Sequence, residues 1–458
     1  MTFPKYPEYK DSGVEWLGEV PAHWEVVKLK RLCHMQSGDF ISPSDIKEDG
    51  EYPVYGGNGR RGFTSGYTHN GLYPLVGRQG ALCGNVNYAQ GRFWASEHAV
   101  VASPDGEVSP VWLGELLRAM DLNQYSITAA QPGLAVEKIK NLFTPKPPLG
   151  EQRAIASFLD HETGRIDALV EEQQRLIELL KEKRQAVISH AVTKGLDSDV
   201  PMKDSGVEWL EGLPENWEIS PFRRGIDFLT DYEANGSFAN TKEMVSLDAG
   251  EPYAWFVRAT DLENNRIGLV EGNRFCDKAS YDFLEKTKVF GHELLVSKRG
   301  EIGKVYVLPE LSCKATIAPN LYLIRLNENL SSRFAYYWLS SSIGNPHLRL
   351  ADKSTTIGAL YKDDVKAIPF VFPLRDEQER VVAYLDSKLQ FFYKMIHEAT
   401  AALRLLQERR SALISAAVTG KIDVRGWQAG QHAEQAEVLL AAEERAAYVY
   451  GKEPSDEV

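Results

Sequence analysis

Two stretches of the chain carry the same pattern of apolar positions. From Glu151 to Ala191 there is no proline and only Gly164 interrupts, while Leu159, Ile166, Val170, Ile177, Leu180 and Val187 recur at intervals built from three and four. A later stretch repeats the pattern with Leu385, Leu389, Phe392, Ile396, Leu403, Leu406 and Leu413. Spacing of this kind lays apolar side chains along one stripe of a helix. Pro145-Lys-Pro-Pro148 and Pro373 stand just ahead of the two stretches, where proline stops a strand and is tolerated at a helix start. Gly195 and Gly420 follow them, where glycine suits a left-handed stop. About 40 residues at roughly 1.5 Å each make a helix of roughly 60 Å, the length of a spacer. Matched stripes of that length predict two helices packed together, antiparallel, because a tandem duplication then approximates a two-fold arrangement within one chain.

The duplication is explicit. The octapeptide Lys10-Asp-Ser-Gly-Val-Glu-Trp-Leu17 recurs unchanged as Lys203-Asp-Ser-Gly-Val-Glu-Trp-Leu210, and Pro21-Ala-His-Trp24 returns as Pro214-Glu-Asn-Trp217 at the same offset of 193. Leu180 to Thr193 resembles Leu406 to Thr419 at an offset of 226, so 33 extra residues (226 less 193) lie between the head and tail of the second half. Ends that agree around middles that differ describe one frame holding two different inserts. The middles read as mixed sheets with loops. Tyr52 to Gly62 is turn-rich, Leu72-Tyr-Pro-Leu-Val76 is strand-like, and Gly77-Arg-Gln-Gly80 is a turn. Glu293 to Gly300 followed by Ile302 to Leu308 echoes the order of strand, basic turn and glycine, and Val111 to Met120 and Arg333 to Ser342 read as short helices in corresponding places. The fold class expected is α+β: two tandem sheet-containing domains (1–148 and 201–373), two spacer helices (149–200 and 374–423) packed as an antiparallel coiled coil, and a tail (424–458) helical over Ala433 to Ala447.

Composition narrows the function. A chain of 458 residues with 43% apolar content supports several cores. No run of about 18 apolar residues occurs, so a cytoplasmic protein is expected, with no membrane partner. Cys33, Cys83, Cys276 and Cys313 lie far apart without a C-x-x-C pair, which argues against a zinc ribbon and a disulfide framework. The net charge of -12 opposes nucleic-acid binding, since Lys and Arg supply much of that affinity. It averages over the whole chain, however, and a basic face coexists with acidic surfaces that meet protein partners. Catalytic motifs are missing. Gly57-Asn-Gly-Arg-Arg-Gly62 has the form G-x-G-x-x-G but no helix signal follows, as a dinucleotide site requires. The chain has no Asn- or Asp-Pro-Pro-aromatic motif and no phosphate loop, and its one Glu-x-Lys, Glu8-Tyr-Lys10, precedes any core that might partner it. No enzyme activity of its own is expected.

Over about 420 residues the chain resembles the specificity subunit of type I restriction-modification systems. The likeness rests on Asp11 to Leu17 and its duplicate, on Pro145-Lys-Pro-Pro-Leu-Gly-Glu-Gln-Arg153, on Phe372-Pro-Leu-Arg-Asp-Glu-Gln378, and on Tyr55-Gly-Gly-Asn-Gly59 and Leu294-Leu-Val-Ser-Lys-Arg-Gly300. The resemblance implies that each domain is a target recognition domain reading one half of a bipartite asymmetric sequence in double-stranded DNA. It implies as partners two adenine methyltransferase subunits that use S-adenosylmethionine, and motor-nuclease subunits that use ATP and Mg. No cofactor is expected on this chain. The competing reading, from the residues alone, is a coiled-coil scaffold whose variable domains bind other proteins.

Reading DNA needs donors that reach base edges: Arg suits guanine, Gln or Asn suits adenine. In the first domain Arg60, Arg61, Arg78 and Gln79, with Asn58 in support, lie beside glycines that let backbone approach phosphate. In the second, Lys298, Arg299 and Lys304 flank the matching turn, Arg258 lies in a segment that resembles the family's DNA face, and Lys353 opens a polar stretch, Lys353-Ser-Thr-Thr356. Trp16 and Trp209, in the repeated frame, are expected as buried anchors. Glu151-Gln152 and Glu377-Gln378 are expected at helix starts, where carboxylates complement the dipole.

Overall fold

A computed structural model of the chain describes residues 3–80, 82–126, 133–351 and 359–428. Two compact units make it up, one from Met1–Gln174 with Ala401–Val458, the other from Arg175–Thr400.

Each unit opens on a hairpin made by the repeated octapeptide. Tyr9–Asp11 pairs with Glu19–Pro21 in the first, and Met202–Val207 with Leu210–Pro214 in the second. The repeat has a local cause. Asp11 accepts a hydrogen bond from the Gly13 amide at 2.9 Å and Asp204 from that of Gly206 at 3.0 Å, the self-bonding turn that Asp favours, and both glycines are left-handed, at φ 66° and 72°. A two-stranded ribbon then closes the base of each insert. Glu25–Lys28 pairs with Phe143–Lys146, and Glu218–Pro221 pairs with Pro369–Phe372.

Between the ribbon strands both units carry the same four-stranded antiparallel scaffold. In the first the order is Cys33–Ser37, Ala99–Pro104, His69–Gly77, Val86–Ala95; in the second it is Ile226–Asp231, Leu321–Leu326, Leu294–Ser297, Val305–Val307. The expected short helices follow, as Pro110–Ala119 and Ser332–Ser340, each opened by a serine side chain that accepts an amide hydrogen bond. Additions around the scaffold differ. The first sheet extends to six strands through the hairpin Tyr52–Gly56 and Gly59–Thr64, so the stretch read as a loop is mostly strand. Its glycines serve the turn and a bulge between Val54 and Tyr55 without preventing pairing. In the second unit a separate sheet holds Ala254–Val257 parallel to Lys314–Ile317. The Tyr55 carbonyl accepts from Ser96 and the Val257 carbonyl from Ala318, both at 2.9 Å, which aligns the two places. From there to the matching leucines, Leu75 and Leu295, the first unit takes 20 residues and the second 38. Over half of the 33-residue excess therefore falls in one insertion, which holds the helices Ala259–Glu263 and Lys278–Phe283.

The long helices run over Leu149–Lys194 and Arg375–Val418. Each unit takes one half of each helix, and the halves pack antiparallel. In the first unit Ile155, Phe158 and Leu159 share a core with Ile414, Ala417 and Val418, and Arg410 grips the Asp167 carboxylate at 2.7 and 3.0 Å. In the second, Ile188, Ala191 and Val192 pack with Val381, Leu385 and Leu389, and the Arg184 guanidinium lies 5.4 Å from the Tyr393 ring centre. Leu180 packs half-buried against the second of these cores, and Val170, Ile396, Leu403 and Leu406 are likewise only half-buried.

Both helix starts are anchored by the predicted Glu-Gln pairs, through more than the dipole. Glu151 accepts from Trp24 Nε1 at 2.9 Å and from the Tyr6 hydroxyl at 3.1 Å; Glu377 accepts from Trp217 Nε1 and Asn216 Nδ2, both at 3.0 Å. Gln152 and Gln378 are fully buried. They accept from the amides of Ser109 and Ser331 and donate to the carbonyls of Pro147 and Pro373. The buried anchors are accordingly Trp24 and Trp217, at 0% and 1% exposure. Trp16 and Trp209 are half-buried, packed at the margin of their units' cores in the turn of each hairpin. Gly195 and Gly420 are left-handed as expected, both at φ 77°. A Cβ on Gly420 would also lie 2.4 Å from Pro21 and 2.9 Å from Trp24. Gly420→Ala is therefore expected to cost about 1–3 kcal/mol in chemical denaturation; a loss of a few tenths only would show that the backbone there relaxes freely.

Candidate nucleic-acid interface

The scaffold strand His69–Gly77 runs into Arg78-Gln79-Gly80, and Leu294–Ser297 runs into Lys298-Arg299-Gly300. One hydrogen-bonded frame holds both turns. Arg78 N donates to His98 O at 2.9 Å and Lys298 N to Asn320 O at 2.7 Å; Arg78 O accepts from Leu134 N at 2.8 Å and Lys298 O from Leu360 N at 3.0 Å. Gln79 bridges to Gly133 and Arg299 to Ala359. Gly80 and Gly300 end the turns in the left-handed region, at φ 88° and 91°.

In the first unit a second loop packs backbone to backbone against this turn. A Cβ on Gly77 would lie 2.6 Å from Gly57 O, so glycine alone permits the approach. Asn58 is thereby brought beside the turn, where its Oδ1 accepts from Asn85 Nδ2 at 3.1 Å. Gln79 is exposed, and Arg78 is half-buried and donates to the Glu97 carbonyl at 3.4 Å. Arg60 and Arg61 stand on the adjoining hairpin strand, both exposed. Arg60 lies 5.1 Å from the Phe63 ring centre, and the methylenes of Arg61 cover Gly56. Neither has an acidic partner among the described residues. Asn85 and Asn87 escaped the sequence reading, since nothing local marks them; only the folded turn places them near Asn58.

The second unit treats its basic residues differently. Lys298 is 6% exposed, and its ammonium sits 2.7 Å from Asp231 and 3.1 Å from Glu233. Expected at the DNA face, it is instead buried, because a carboxylate 67 residues upstream neutralises it. Lys362 reaches the other Asp231 oxygen at 2.9 Å. Arg258 caps the helix Ala259–Glu263; its guanidinium bonds the fully buried Asp261 at 2.6 Å and Gly272 O at 2.8 Å. Lys304 stands 3.4 Å from Glu301 and 3.7 Å from Glu263. Arg299 is the most open of the set, 59% exposed, with Glu233 at 3.2 Å. Lys353 lies outside the described residues.

Burial alone would raise the Asp231 carboxyl, but hydrogen bonds from Lys298 and Lys362 hold it below the ordinary carboxylate value. A depressed folded value contributes stability above the unfolded pKa, about 3.9, that is lost as pH falls through the folded value. The second unit is therefore expected to weaken below about pH 4, and Asp231→Asn to remove that part of the slope. Denaturation midpoints followed from pH 5 to pH 2 check this; parallel curves for the two proteins would refute it. Elsewhere burial pushes the Cys33 thiol up to about 12, which keeps it an inert core residue. No cluster of acidic, His and Cys residues suited to a metal ion occurs among the described residues, and none of their helices is long and apolar enough to cross a membrane.

Residues 21–179 and 235–400 match the family model described as the type I restriction modification DNA specificity domain. The chain belongs to that family. This specificity chain is 45% identical over 136 residues to the EcoprrI specificity subunit of Escherichia coli, covering 29% of its own length and 34% of that protein. With the EcoBI specificity subunit of Escherichia coli it shares 23% over 68% of its own length and 65% of that protein, and with EcoDI, also from Escherichia coli, 20% over 90% and 91%. It thus spans about a third and just under two-thirds of the first two relatives. A solved chain from a study of complex assembly and conformational transition of the type I R-M system has the same fold, with TM-score 0.64 at 14% identity, over 87% of this chain and 98% of that one. The antiparallel helices and twin sheet domains of the specificity chain are thus the family's architecture, and DNA recognition is the family's role.

Proposed function

We propose that this chain reads an asymmetric, bipartite target in double-stranded DNA, one half-site per unit, and that the long helices set the gap between the half-sites. The observation that carries the reading is the repeated turn, in which one hydrogen-bonded frame holds Arg78-Gln79 in one unit and Lys298-Arg299 in the other, with Gln79 and Arg299 exposed. A rigid frame with changed side chains is what two readers of different sequences require, because base identity is read by donors and acceptors at the groove edge while phosphate contacts only position the protein. The chain catalyses nothing itself. Two adenine methyltransferase subunits dock on it and supply S-adenosylmethionine chemistry; motor-nuclease subunits bring ATP and Mg and add restriction. Partner surfaces then make many of the phosphate contacts, which is compatible with a net charge of -12.

The test is mapping of methylated adenines in cells that express this chain with its methyltransferase, against cells lacking only this chain. One split motif that vanishes on deletion is the expected result. No difference, with the partners shown to be present, would favour a scaffold that binds other proteins. Removing one heptad from each long helix is expected to shorten the tolerated gap or abolish recognition. An unchanged gap would show that the helices do not set it.

A further inference from the structure

The two turns differ most where they are most alike. Gln79 and Arg299 occupy the same place: each follows a residue whose amide bonds the carbonyl just ahead of a scaffold strand and whose carbonyl bonds the returning segment, each forms the bridge to that segment, and each precedes a left-handed glycine. Both side chains are exposed. The residue before them is unsuited to reading. Arg78 is half-buried and Lys298 is closed off by Asp231 and Glu233. The tip position is thus the place at which an invariant backbone offers a variable side chain to a ligand.

Its chemistry changes sharply between the units. The Gln79 amide offers one donor group and one acceptor, the pattern that pairs with adenine at N6 and N7. Arg299 offers only donors, the pattern that pairs with guanine at O6 and N7. Glu233 lies 3.2 Å from the Nη2 nitrogen, and an arginine has five N–H donors, so donors remain for a base edge. We infer that Gln79 and Arg299 are the equivalent base-selecting residues of the two units, the first selecting adenine in its half-site and the second guanine in the other. This rests on the reading that each unit binds a half-site, and it adds which residue selects and which base.

Methylated-adenine mapping of the whole complex tests it with Arg299→Gln, Gln79→Arg and Arg299→Lys. None of the frame's hydrogen bonds uses the replaced side chain, and Glu233 keeps Lys298 as a partner in every variant. Arg299→Gln is expected to lower the preference for guanine at one position of one half-site by about 5- to 150-fold, toward adenine, and Gln79→Arg to do the converse in the other half-site. Arg299→Lys keeps the charge and loses the fork, so it is expected to lose discrimination at the same position. A motif unchanged by the first two variants, or altered in both half-sites by either one, overturns the assignment. So does Arg299→Lys with full guanine preference, which would mark a phosphate contact. A wild-type chain that directs no motif would be a failure of the half-site reading itself; a wild-type motif that resists these substitutions would be a failure of this inference alone.

Discussion

Replacing residues 25–144 with the corresponding insert of another specificity subunit is expected to change one half of the DNA target completely and leave the other half intact. The cuts fall in a ribbon that the insert shares with its frame, where Glu25–Lys28 pairs with Phe143–Lys146. Backbone pairing of this kind tolerates new side chains. Everything exposed around the Arg78 turn lies inside the exchanged segment, whereas Trp24, Glu151 and both long helices lie outside it. Since each wrong base pair costs about 1–3 kcal/mol, a changed half-site should move methylation to a new motif rather than weaken it at the old one. Mapping of methylated adenines reads this directly, and altered bases in both halves would reject independence of the two readers.

The second large effect concerns the frame. Trp24→Ala and Trp217→Ala are each expected to cost about 3–5 kcal/mol. Both indoles are fully buried, and both donate to a carboxylate in the first turn of a long helix, so truncation opens a cavity and also deprives Glu151 or Glu377 of a donor. Burial and the neighbouring Glu151 push the Tyr6 hydroxyl well above its usual value. It therefore stays a donor at neutral pH, and Glu151 loses one partner of several in the first variant. Hydrogen exchange resolved by segment should show protection lost first in the unit that carries the substitution. A loss under about 1 kcal/mol, within the range of ordinary surface changes, would show that the tryptophans are not the anchors.

The two units also handle charge differently. Arg60 and Arg61 of the first stand free of acids among the described residues, while the second pairs Lys298, Arg299 and Lys304 with Asp231, Glu233, Glu263 and Glu301. If each unit binds DNA as proposed, salt-dependent binding, which counts phosphates neutralised by free cations, is expected to fall more heavily on the first unit.

Much of this protein was legible in order along the chain. A heptad stripe and flanking Pro and Gly located both long helices to within a few residues, because helix periodicity and end signals are local. The repeated Lys-Asp-Ser-Gly-Val-Glu-Trp-Leu revealed the duplication, and matched turns located the basic tips at Arg78-Gln79 and Lys298-Arg299. Tyr52 to Gly62 reads as a loop because its glycines signal turns; it is a hairpin, and its place in the sheet comes from Trp94 and Ala95, about 40 residues away. Trp16 and Trp24 look alike in sequence. Only packing separates them, by placing Trp24 against Glu151 and leaving Trp16 half-buried at the margin of the core. Tertiary structure alone decided which cations remain available. Lys298 and Arg258 read as surface donors until distant or backbone partners close on them, and Arg299 reads no differently from Lys298 until burial distinguishes the two. Patterns of spacing determine which elements form, because hydrogen bonding and amphipathicity act over a few residues. Which side chain faces a ligand is settled by charges and backbone brought together from far along the chain, and no local pattern records that.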